Sequence, residues 1–199
     1  MKRNKLESQN GMNVLLVNGS PHKNGGTARS LAIIEEELHR NHIDTTWFQV
    51  GAEPVRGCVA CGRCVRTNRC SFGDDKCNEL IELMLSCNGM IIGSPVYFAG
   101  PNGALLALLD RAFYATCNFN QSMAGKPGAS VVSVWREGGT AALDRLNKYF
   151  LFSQMPIASS NYWPVNWNQG NDRYARDILT TLGNNYAALL IASHRTFRE

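Results

Sequence analysis

The stretch NVLLVNGSPHKNGGTARS, residues 13–30, runs from an apolar segment through a polar, glycine-bearing turn into a helical pattern. NVLLVN (13–18) reads as a strand, and ARSLAIIEEELHRNH then places Leu31, Ile34 and Leu38 at helical spacing. A strand that passes through one short turn into a helix is the opening of a strand-helix-strand unit.

The same alternation continues along the chain. TTWFQV (45–50) reads as a second strand, and after a cysteine-rich loop DDKCNELIELMLSC carries Leu80, Ile81, Met84 and Leu85 on one face, with two Asp at its amino end. GMIIGSP (89–95) is a third, buried strand stopped by Pro95, and NGALLALLDRAFYATC supplies a helix from near Pro101. GASVVSVW (128–135), the helix GGTAALDRLNKYFLFSQ, the short run ASSNYW (158–163) and a helix from about Asn171 to Ser193 complete five units. Right-handed crossovers place such helices on both faces of a parallel sheet, so the expected fold is α/β with a doubly wound, five-stranded parallel sheet. The long segments 51–73 and 163–170 are expected as loops.

At 199 residues with 44% hydrophobic content, the chain suits one domain over residues 12–199, with residues 1–11 as a frayed extension. Its net charge of +4 comes from scattered Lys and Arg, which argues against nucleic acid as a partner. No apolar stretch reaches the roughly 20 residues of a membrane span and no secretory signal is evident, so a cytoplasmic protein without a membrane partner is expected. Seven cysteines, an odd count in such a chain, argue for reduced thiols or metal ligands over disulfides.

In an open parallel sheet, ligands bind beyond the carboxyl ends of the strands. The turn from Gly19 to Thr27 would stand there, offering the Ser20 and Thr27 hydroxyls, Asn24, converging backbone amides and a helix amino terminus, the parts of a phosphate cradle. It lacks the Lys of a mononucleotide P-loop and the G-x-G-x-x-G of a dinucleotide site, and the second strand ends in Gln49, with no acid to grip a ribose. A single phosphate is the better match; the other reading is a turn whose polar side chains only cap the helix. Two further loops share this edge: GSPVYFAGPNG (93–103) and WREGGT (135–140). Tyr97, Phe98 and Trp135 would flank a flat ring, and backbone amides near Val96 and Gly138 would serve its polar rim. FMN, a planar ring joined to one phosphate, matches that arrangement.

The sequence resembles the flavodoxin-like NAD(P)H-dependent FMN reductase family, especially its iron-sulfur flavoprotein branch, over about residues 12–193. The likeness rests on GSPHKNGGT, CVACGRCVRTNRC followed by DD, GSPVYF, LLDR and the GG of WREGG. It implies phosphate contacts from Ser20, Asn24, Gly26 and Thr27, a ring-binding loop of Pro95, Val96, Tyr97 and Phe98, and a third loop of Gly138 and Gly139. His22 stands where relatives often place Arg or Lys. The resemblance also implies strand order 2-1-3-4-5 and a homodimer or homotetramer.

Cys58-x2-Cys61-x2-Cys64-x5-Cys70 offers four soft ligands at short spacings, a pattern suited to a [4Fe-4S] cluster. Zinc sites usually set two C-x2-C pairs far apart, and unligated thiols are the remaining alternative. Cys77 is expected to pack in the next helix, and Cys87 and Cys117 to be core or surface thiols. Asp110 and Arg111 read as a structural pair, Arg136 as a contact for a nicotinamide phosphate or a flavin carbonyl, and Trp163 and Trp167 as packing groups or a roof. His39, His42 and His194 read as surface groups. The expected activity is hydride transfer from NAD(P)H to FMN and onward reduction of a quinone, flavin or other small acceptor, with the flavin supplying the chemistry and no side-chain acid or base required. An electron-transfer module between protein partners and a non-redox nucleotide-binding domain are the competing readings.

Overall fold

The computed structural model describes residues 11–117, 121–167 and 172–196. The expected extension, Gly11 excepted, and the helix start near Asn171 fall outside them, as does the His194 side chain.

Strands β1 (Asn13–Asn18), β2 (Asp44–Gln49), β3 (Gly89–Tyr97), β5 (Gly128–Val134) and β6 (Val165–Trp167) form a parallel sheet in the order β2-β1-β3-β5-β6. This is the expected order 2-1-3-4-5, relabelled because a two-residue strand, β4 (Gly100–Pro101), pairs antiparallel with the end of β3. Helices α1 (Gly26–Arg40) and α6 (Arg173–Thr196) cover one face; α3 (Cys77–Ser86), α4 (Gly103–Cys117) and α5 (Gly139–Phe152) cover the other. β1 shows why its apolar run has no polar alternation. Leu15 and Val17 enter the core beneath α3, α4 and α5, while Val14 and Leu16 enter the core beneath α1 and α6.

Five sequence expectations need correction. The fifth strand is not 158–163 but Val165–Trp167. Ile157 makes one bridge to Gly128, the chain then swings outward through exposed Asn161, Tyr162 and Trp163, and pairing resumes where the Val132 amide donates to the Pro164 carbonyl. On α3 the buried face is Cys77, Leu80, Ile81 and Met84; Leu85 is 39% exposed. α4 starts at Gly103 because Pro101 is held in β4 opposite Val96. Asp110 and Arg111 are not partners: Asp110 accepts from Tyr149 and from Arg145 at 3.1 Å, whereas buried Arg111 turns to Asp75. The loop expected over 51–73 contains one short helix, α2 (Cys64–Thr67).

Candidate functional site

Asn18, the last residue of β1, organises the turn that follows. Its Oδ1 accepts the Ser20 amide at 3.1 Å, and its Nδ2 donates to the His22 carbonyl at 3.2 Å and to Gln49 Oε1 at 2.7 Å. Gln49 Nε2 donates to the Ser20 carbonyl, and the His22 amide donates to Ser20 Oγ at 3.1 Å. From the residue just before α4, Asn102 Nδ2 donates to the Gly19 carbonyl at 2.7 Å. The turn's carbonyls are thus tied back into the protein. Gly19 permits the close approach this needs: a Cβ there would lie 2.4 Å from Leu105 Cδ2 and 2.6 Å from the Gly93 carbonyl oxygen.

Among the described residues, no side chain caps the amino end of α1. The first amides of a helix have no intrahelical partner and carry the positive end of its dipole, so an uncapped amino terminus facing a cleft is an anion site. The capping reading of the turn is therefore not what the structure adopts. Behind it, Ser30 Oγ donates to the Gly26 carbonyl at 3.0 Å and accepts from Asn166 Nδ2 at 2.7 Å. Asn166 is fully buried, with its Oδ1 unpartnered.

This terminus opens on a cleft of about 830 Å³. Ser20, His22, Asn24, Gly26 and Thr27 line one end; Pro95, Val96, Tyr97, Ser133, Val134 and Trp135 line the other. Its volume lies within the usual range for small-molecule and cofactor sites. The expected ring contact Phe98 falls elsewhere, beside Arg136, which is expected to meet a nicotinamide phosphate or a flavin carbonyl. Phe98 and Arg136 border a neighbouring cavity of about 510 Å³, which shares Val96, Val134 and Trp135 with the first. Gly138 and Gly139 border neither cavity. Gly138 has φ 86° and packs so tightly on the β3–β4 turn that a Cβ would stand 2.4 Å from Ala99 Cα; Gly139 packs on Val165. These glycines let the third loop close against the second rather than lining the cleft. Asn18, Asn102 and Asn166 carry no signal of this role in the sequence, where Gln49 reads only as the lack of an acid, because their long-range partners lie on strands and helices that the sheet order brings near.

The cleft fits FMN. The uncapped amides and the Ser20 and Thr27 hydroxyls match its phosphate, and the Tyr97–Trp135 end matches a flat ring.

The cysteine loop builds a second site. Cys58, Cys61, Cys64 and Cys70 all line one small cavity of about 20 Å³, together with Phe72, Arg111 and Tyr114. Left-handed backbone at Ala60, Gly62 and Asn68 wraps the loop tightly. Asn78 staples it to α3: Oδ1 accepts the Cys70 amide at 2.9 Å, and Nδ2 donates to the carbonyls of Cys70 at 3.1 Å and Phe72 at 3.0 Å. Ser71 hydrogen-bonds the Cys61 sulfur at 3.3 Å and lowers the Cys61 pKa, whereas burial raises that of Cys64. Cys77, buried as expected, is pushed up to about 12 by desolvation.

Arg111 closes this site from α4. Nε donates to Cys70 Sγ at 3.2 Å, one terminal nitrogen donates to the Arg56 carbonyl at 3.0 Å, and both terminal nitrogens hold the Asp75 carboxylate. Burial alone would raise the Asp75 pKa, but the bonds from Arg111 and the Cys77 amide outweigh it and hold the carboxyl below its ordinary value. Among the described residues, no three Cys, His, Asp or Glu side chains converge closely enough to bind a single metal ion. Four thiols on one loop are the soft donor set that a [4Fe-4S] cluster takes, one sulfur per iron, while the cavity they line, about 20 Å³, is smaller than a cubane.

Trp163 and Trp167 are exposed, and neither lines the large cleft. No helix among the described residues is long and apolar enough to cross a membrane.

Comparison with known proteins agrees with this geometry. The sequence pattern of the NADPH-dependent FMN reductase family matches residues 12–169. An iron-sulfur flavoprotein of Methanocaldococcus jannaschii is 28% identical over 152 residues, covering 75% of this chain and 77% of the relative. An iron-sulfur flavoprotein of Methanosarcina thermophila is 26% identical over 165 residues, covering 81% and 85%. Among solved structures, RosB with a bound formylated riboflavin phosphate intermediate superposes with a TM-score of 0.71 at 9% identity, covering 94% of this chain and 81% of RosB. A flavodoxin from the domain Archaea superposes with a TM-score of 0.62 at 12% identity, covering 90% and 99%. At such identities the structures speak for the fold alone. With the family pattern spanning most of the chain and iron-sulfur flavoproteins as its relatives, the protein belongs to the flavodoxin-like NADPH-dependent FMN reductase family, in the iron-sulfur flavoprotein branch, and is a flavoprotein oxidoreductase.

Proposed function

We propose that the protein holds FMN in the 830 Å³ cleft, takes hydride from NADPH or NADH, and reduces a small acceptor such as a quinone or free flavin. The observation that carries this reading is one cleft with an uncapped helix terminus at one end and Tyr97 and Trp135 at the other. The α1 amides, Ser20 and Thr27 hold the phosphate, while Asn18, Gln49 and Asn102 keep the turn rigid from behind. Pro95, Val96 and Tyr97 seat the ring. Bound FMN supplies hydride acceptance and stepwise electron release, so the protein's own task is placement and charge stabilisation. The neighbouring cavity, with Phe98 and Arg136 on its rim, receives the nicotinamide nucleotide, Arg136 meeting its phosphate. The exposed aromatics Phe98, Trp135 and Trp163 suit a homodimer or homotetramer. The seven free cysteines suit the reducing cytoplasm.

Apoprotein titrated with FMN should quench flavin fluorescence with one site per chain, and stopped-flow mixing with NADPH or NADH should bleach the flavin. Absence of quenching removes the flavin reading, and quenching without bleaching by either nucleotide removes the reductase reading. The four-thiol cavity favours a second reading, in which a [4Fe-4S] cluster relays single electrons between the flavin and a protein partner. Four irons and four sulfides per chain after anaerobic reconstitution are the expected result for a cubane.

A further inference from the structure

Arg111 is 2% exposed on α4, where an unsatisfied guanidinium would be very costly. Its pairing with Asp75 and the Arg56 carbonyl accounts for the terminal nitrogens. The Nε–H remains, and it is spent on the sulfur of Cys70. A neutral thiol is a weak acceptor, whereas a thiolate makes a charge-assisted bond with a guanidinium. Among the described residues, the Cys58 sulfur accepts the Ala60 amide, at 3.4 Å, and the Cys61 sulfur meets the Ser71 hydroxyl and the Arg63 amide, all uncharged donors. The cysteine site is therefore electrically lopsided: a buried guanidinium bonds one of its four sulfurs, on the side facing α4.

We propose that Arg111 is a positioning residue that sets the reduction potential of a [4Fe-4S] cluster at Cys58, Cys61, Cys64 and Cys70, through its Nε–H bond to Cys70, with Asp75 fixing the guanidinium in the required orientation. The inference rests on the cluster reading above. Reduction adds one electron, drawn from the reduced flavin or from dithionite, and no bond is made or broken. The added negative charge is shared with the ligand sulfurs, so a cationic donor to one of them favours the reduced state and raises the potential. Asp75 keeps the pair neutral overall yet leaves the Nε–H aimed at sulfur, so the effect is local to the Cys70 corner.

The test uses full-length protein reconstituted anaerobically with iron, sulfide and FMN, wild type beside Arg111→Lys, which keeps a cation but loses the Nε donor. Iron and sulfide content is read first, then the midpoint potential by EPR-monitored titration. Reduction of the Arg111→Lys cluster should become about tenfold less favourable, about 59 mV lower for one electron. An unchanged midpoint in a fully loaded variant overturns the proposal and leaves the cluster reading intact. Wild-type protein that takes up no iron or sulfide removes both, while flavin quenching in the same sample still judges the FMN reading. Should the variant fail to load, pulsed EPR on reduced wild-type protein labelled with arginine carrying 15N in the guanidinium alone decides: a coupled guanidinium nitrogen is the expected result, and none overturns the proposal.

Discussion

The phosphate turn and the cysteine loop belong to the same protein but are stabilised in opposite ways. The turn spans nine residues from Gly19 to Thr27, between a strand buried from Val14 onward and a helix, and its backbone is tied by uncharged amide side chains: Asn18, Gln49 and Asn102. The cysteine loop is a long excursion between β2 and α3, anchored chiefly by the ion pair of Arg111 with Asp75 and by Asn78. The turn exposes donors to a cleft and needs little charge of its own. The loop gathers four sulfurs and brings a buried cation to them. Many weak neutral bonds make the first site tolerant of single losses, while reliance on one charged pair makes the second brittle.

That contrast can be broken by experiment. The largest effect is expected from Arg111→Met, which leaves the Asp75 carboxylate buried without its cation at a cost of about 3–5 kcal/mol. Because the pair anchors one loop, limited proteolysis should cut between residues 51 and 76 well before urea unfolds the sheet. Equal resistance of variant and wild type would show that Asn78 and the backbone suffice. Gly19→Val comes next. Its side chain must displace Leu105 and the Gly93 carbonyl, an overpacking cost of about 1–3 kcal/mol by urea denaturation. The shifted turn should weaken FMN binding about tenfold, equivalent to about 1.4 kcal/mol, and unchanged affinity would remove the turn from the site.

The smallest expected effect is on pH dependence. Burial raises the Cys77 pKa to about 12, so above the unfolded thiol value near 8.5 the unfolded chain releases a proton that the folded chain keeps. Stability should fall through that window, by about 1 kcal/mol at one pH unit above 8.5, and Cys77→Ala should flatten the slope. Asp75 works in the other direction. Its folded pKa is depressed, so its contribution is present above the unfolded value near 3.9 and is lost as pH falls through the folded one. Acid should therefore loosen the cysteine loop ahead of the phosphate turn, seen as earlier proteolysis at low pH.

How much of each site the sequence disclosed follows from the same contrast. The turn was legible because strand, glycines and helix are contiguous, and local chemistry announces all three. Its supports were not: Asn18 meets Gln49 across 31 positions and Ser30 meets Asn166 across 136, contacts that exist only once the sheet order is set. The four cysteines were legible from spacing, but the partner of Arg111 was not. Neighbouring residues on a helix point in different directions, so Asp110 and Arg111 serve different surfaces, and Arg111 finds its carboxylate 36 positions back. The last strand is not legible locally, because Ala158–Trp163 looks no less strand-like than Val165–Trp167, and only pairing with β5 separates them.

The detour through Asn161, Tyr162 and Trp163 bears on solubility. β5 meets the chain at Ile157 and again only from Pro164 onward, and β6 is three residues long. A foreign backbone reaching that margin finds a short ledge behind a jutting, proline-ended flap, too little to extend the ladder from molecule to molecule. Crowded solutions should therefore resist fibril growth from this side, leaving self-association to side chains displayed on helices and loops.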